Sequence, residues 1–180
     1  MEKYELTKKT IMEARTYLPL AEKMEFLSNA QNCFDRLRIT DGKEEMPPMW
    51  KENAGLKARY LMRVLLVNYL GISCEEESDY LITEAEYDKY AGSHIIMQIE
   101  RFKRDADKDA RDTAYDLLSD YFHLEKSFQS EINALLGVQN DSIIRQQQMT
   151  KEAVALLPSI IEQLKELNLS DNKPGEISDA

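Results

Sequence analysis

Two histidines, two cysteines and a row of evenly spaced aspartates are the residues of this chain whose type and spacing bear on chemistry. Asp120-x-x-His123 has the carboxylate-x-x-His spacing with which helical bundles hold two irons or manganese ions. Such a centre needs a second pair, and the residue three before His94, the only other histidine, is Ala91. The two imidazoles would meet only if the chain reversed near residue 108; along one continuous helix they would stand about 43 Å apart. The pattern therefore favours two ordinary histidines, and no metal or other cofactor is expected. Cys33 and Cys74 lack a CxxC partner or a local histidine, so they read as free thiols rather than as zinc ligands or nucleophiles. No GxGxxG or Walker-type loop offers a phosphate cradle. No catalytic residue and no small-molecule substrate follow, and the chain is expected not to be an enzyme.

The aspartates suggest binding instead. Asp105, Asp109, Asp112, Asp116 and Asp120 step by 4, 3, 4 and 4, which places five carboxylates on one helical stripe. Residues 72–120 hold 14 acids against 6 bases, whereas residues 1–71 hold 12 bases against 10 acids. Most of the net charge of -10 thus belongs to the middle of the chain. An acidic rail of this kind could dock a basic groove on another protein, in the manner of a nucleic-acid mimic. The simpler reading, which the pattern favours, is the solvated back of an amphipathic helix whose front is the Ala110–Phe128 seam. A pI near 4.8 argues against direct nucleic-acid binding, because phosphate affinity comes from Lys and Arg. Lys51, Lys57, Arg59 and Arg63 form a small basic set that could meet the acidic region of a second copy. Met46-Pro47-Pro48-Met49-Trp50 carries the only tryptophan, and Trp50 is a candidate docking residue or the cap of a buried helix.

These residues need elements to position them, and the apolar spacing is helical almost throughout. Helices are expected over 6–17, from Pro19 to about Leu37 with Asp41-Gly42 as the stop, and from Trp50 to Leu70 ahead of Gly71. Lys43 to Met49 reads as a loop and Ser73 to Asp79 as a polar break. Thr83-Glu84-Ala85-Glu86 reads as a capping box that opens the longest helical segment, 84–136. Within it Ala110, Ala114, Leu117, Tyr121, Leu124 and Phe128 step by 4, 3, 4, 3 and 4, a heptad seam of coiled-coil type. Bases at 101–104 followed by acids at 105–109 suit a helix end and a helix start, so 84–136 is either one rod or a hairpin turning near Asp105. Gly137 closes it, and a last helix over 142–167 is kinked or split by Pro158. The fold expected is all-α, a mostly antiparallel bundle of five to seven helices. One helical domain covers 1–168, and an acidic disordered tail covers 169–180.

Met1 to Thr10 has no apolar core of a secretory signal, and Leu61 to Leu70 is half the length a bilayer needs. A cytoplasmic protein is expected. Its role is that of a helical interaction or assembly subunit whose partner is another protein or, through the seam, itself.

Overall fold

A computed structural model describes residues 4–37, 49–78 and 80–171. The chain is predominantly helical, as the spacing requires, but it also carries two small antiparallel sheets. The Asp41-Gly42 stop, the Pro47-Pro48 loop and the tail from 172 onwards lie outside the described residues. By its internal contacts the chain divides into two compact units, residues 1–138 and 139–180.

Helix α1 (Lys8–Met12) is capped by Thr7, whose hydroxyl accepts from the Thr10 amide. Helix α2 (Leu20–Ser28) starts behind Pro19 as expected. It does not continue to Leu37. A 3-10 turn over Asn29–Cys33 leads instead into strand β1 (Phe34–Leu37), which pairs antiparallel with β2 (Met49–Glu52). Trp50 therefore sits in a strand and does not open a helix; it is half-buried and packs against the core. Helix α3 (Ala54–Arg63) begins four residues later than expected because Asn53 is the better cap: its side chain accepts from the Leu56 amide at 3.0 Å.

The helix then widens into a π-helical segment, Val64–Tyr69, marked by the Leu70 amide reaching the Leu65 carbonyl. Gly71 ends it at φ 65, a left-handed conformation that suits glycine. The expected polar break holds β3 (Glu76–Ser78), paired with β4 (Leu81–Ile82). Thr83 caps α4 (Glu84–Gly92) by accepting from Glu86 N–H, but the box is half made. The Thr83 amide donates to Glu75 and the Glu86 carboxylate takes Lys89.

Residues 84–136 are neither one rod nor one hairpin. The helix breaks twice, at Ser93-His94 ahead of α5 (Ile95–Asp105) and at Ala106-Asp107 ahead of α6. The second break is the one the change from bases to acids marks, and Asp107 accepts from the Ala110 amide there at 3.2 Å. Gly137 does not end α6, and Pro158 does not split it: the helix runs Lys108–Asp171. No helix among the described residues is long and apolar enough to cross a membrane.

Among the described residues the core lies in the first unit, between Leu6 and Ile132. All six seam residues of α6 are buried there, joined by Leu118 and Ile132. Phe128 stacks on Tyr60 of α3 with ring centroids 5.0 Å apart, and Tyr121 meets Tyr69 edge-on at 5.9 Å. The seam thus closes the chain's own core.

Candidate functional site

The five aspartates of the acidic stripe have different environments. Asp105 ends α5, whereas the other four are on α6. Asp109, Asp112 and Asp116 are exposed, with Asp112 only 3.8 Å from the neighbouring Arg111. Asp120 is committed to the fold. Its carboxylate accepts from Lys23 Nζ at 2.5 Å, the Leu18 amide at 3.1 Å and the Tyr69 hydroxyl at 2.8 Å. The two charged side chains are only 14% and 19% exposed, Asp120 and Lys23 respectively. Burial alone would raise the Asp120 carboxyl, but these three donors outweigh it and hold the group below the ordinary aspartate value. Burial and the hydrogen bond to Asp120 push the Tyr69 phenol far up, so it remains a donor.

The basic set is likewise absorbed. Arg59 is buried, donating from Nε to the Ile82 carbonyl at 2.8 Å and pairing with Glu77. Arg63 pairs with Glu76 at 2.8 Å. Lys57 bridges Glu52 and Gln129, each at 2.5 Å, and Gln129 returns a bond to Glu52 at 2.9 Å. Lys57 first, then Gln129, hold the Glu52 carboxyl below its usual range. Of the four bases only Lys51 is exposed. Trp50 also makes a polar or ring contact.

Two adjoining clefts of about 340 and 320 Å³ run along α5 where residues 4–8 lie on it. Gln98 builds their floor: its oxygen accepts from the Leu6 amide at 2.6 Å and its nitrogen donates to the Tyr4 and Ser93 carbonyls. Lys8 and Asp107 pair across one end. Glu5, Asp105 and Arg101 mix charges along the walls.

His94, at the rim, holds φ 54, a left-handed conformation that costs a non-glycine residue about 1–2 kcal/mol. His123 bonds to the Ser119 carbonyl of its own helix at 2.7 Å. No group of three or more His, Cys, Asp and Glu side chains able to hold a metal occurs among the described residues. Burial, above all, raises Cys33 and Cys74 to about 11 each, which suits inert thiols.

Sequence reasoning missed a different surface. Every described side chain from Gln148 to Lys165 of α6 is exposed, on all sides of the helix. Among them Val154, Leu156, Leu157, Ile160, Ile161 and Leu164 are 47–58% exposed and share one face. Val154, Leu157, Ile161 and Leu164 step by 3, 4 and 3, the spacing of a second heptad seam. That spacing was the available signal, and only the burial pattern shows that the chain's core leaves it open.

The chain matches no protein-family model, no curated protein and no solved structure.

Proposed function

We propose that this chain is a non-catalytic subunit built as a helical bundle, and that it works by protein–protein contact through the 154–164 face of α6. One observation carries the reading: six large aliphatic side chains stand half-exposed on one face of a helix that buries nothing there. An isolated helix gains most of its stability from packing an apolar face, so this stretch calls for a partner of matching chemistry. An amphipathic helix laid along 3-4 spaced anchors is that partner.

The alternative, an acidic protein occupying a basic groove, keeps less support. Asp120 is bound internally and Asp105 belongs to another helix, which leaves Asp109, Asp112 and Asp116. Unchanged partner affinity after charge reversal of those three would dispose of it. The main reading is tested by a photo-crosslinking residue at Leu157 and, as control, at Ala155, which lies about 200° around the helix. Discrete protein adducts from position 157 alone are expected. Equal adducts from both positions, or none from 157, would reject the docking face.

A further inference from the structure

We infer that the occupant of the 154–164 face is a second copy of this chain, packed face to face about a two-fold axis. The inference rests on the docking reading above and gives it a partner. Area supports it first. Six aliphatic side chains at 47–58% exposure present on the order of 600 Å² of surface, at roughly 100 Å² each. With Met149, also exposed, and the small flanking residues, one face approaches the roughly 800 Å² per partner of a standard interface. The opposing surface must therefore be about as large and as apolar as this one. The rest of the described exposed surface offers a shorter set, Tyr17, Leu20 and Met24, and single residues such as Met97, but no row of six.

Charge supports it next. At 100° per residue Lys151 and Glu162 project away from the apolar face, whereas Glu152 and Lys165 border its two edges, beside Leu156 and Val154, so the strip is flanked by one acid and one base and carries no net sign. A strip without sign does not repel its own copy, and a two-fold axis requires only that a surface complement itself. The same four charges distinguish a protein from a lipid surface. Helices that lie on membranes carry polar faces rich in Lys and Arg, whereas here two bases meet two acids.

The closing experiment uses the full chain. Sedimentation equilibrium from low to high micromolar concentration, with hydrogen exchange of the 153–164 amides at both ends of the range, compares wild type, Leu157→Glu with Ile161→Glu, and Ala155→Glu. The expected result is a mass rising from 20.9 kDa towards twice that, with amide protection rising in step. The double variant should stay at 20.9 kDa with fast exchange, while Ala155→Glu should behave as wild type. A dimer that survives the double substitution overturns the proposal, because the contact then lies elsewhere. A wild type that is monomeric throughout, with freely exchanging amides, also overturns it but leaves docking to a different protein standing. Protection gained only on adding phosphatidylcholine or phosphatidylserine vesicles would overturn both readings.

Discussion

Asp120 gathers donors from three separate segments: the Leu18 amide, Lys23 of α2 and Tyr69 at the end of the π-helical segment. Removing its charge leaves Lys23 mostly buried with no anion to face it. Hydrogen bonds to charged groups are worth about 1.5–3 kcal/mol each, so Asp120→Asn is expected to cost about 2–4 kcal/mol in a urea melt at neutral pH. Asp116→Asn, one helical turn away and exposed, should shift the same melt by less than about 0.5 kcal/mol. The pH dependence follows in sign. The folded-state pKa of Asp120 lies below its unfolded value, so its contribution is full above the unfolded value and is lost as pH falls through the folded one. The Asn variant should therefore show a flatter acid limb than wild type. Glu52 adds a second contribution of the same sign.

At the scale of elements, two glycines lie in opposite situations. Gly71 stands at φ 65 with open space where a Cβ would go, so Gly71→Ala meets only the backbone penalty, about 1 kcal/mol of destabilisation. Gly137 lies inside α6, also with open space, and Gly137→Ala should stabilise by about 0.5–1 kcal/mol. Denaturation midpoints with opposite signs for one substitution type would check both. The same glycines mark how far the elements were legible.

Gly71 stops a helix as its position suggests, because the next residues turn away into β3. Gly137 does not, because a single glycine costs too little to end a helix that the buried seam before it already fixes. The break at Ala106-Asp107 was readable from charge alone. The break at His94 was not, since it uses a non-glycine residue in a left-handed conformation. Strand β1 was hidden for another reason. Phe34 continues the 3-4 apolar spacing of α2, and its pairing partner Glu52 lies 18 residues away, beyond any local pattern. Of the acidic stripe, spacing alone could not tell the bonded Asp120 from its exposed neighbours.

For the whole molecule, the buried residues among those described fall between Leu6 and Ile132, and every described side chain of the 148–165 stretch is exposed within one copy. A chain ending at Val138 should therefore unfold cooperatively with the midpoint of the full chain, compared at high dilution. Raising the concentration should separate the two. Association that involves only the folded longer chain stabilises it by mass action, and the shorter chain has no such face. Urea melts of both chains over a concentration series read this directly. Identical concentration dependence would place the association surface within residues 1–138.

The π-helical segment has a consequence for how the two ends of its helix keep time. A backbone bonded five residues apart, as Leu65 is to Leu70, winds more slowly than one bonded four apart, so Val64–Tyr69 acts as a phase delay. Tyr69 emerges from the delay with both ends in use, its carbonyl accepting from the Arg15 amide at 2.8 Å and its hydroxyl reaching Asp120. A chain one residue shorter there would run in ordinary α phase, with the ring swung about 100° out of step. One deleted residue would then withdraw Tyr69 from both Arg15 and Asp120, leaving only the direct bonds of Leu18 and Lys23 to Asp120, although neither partner would have changed its own sequence.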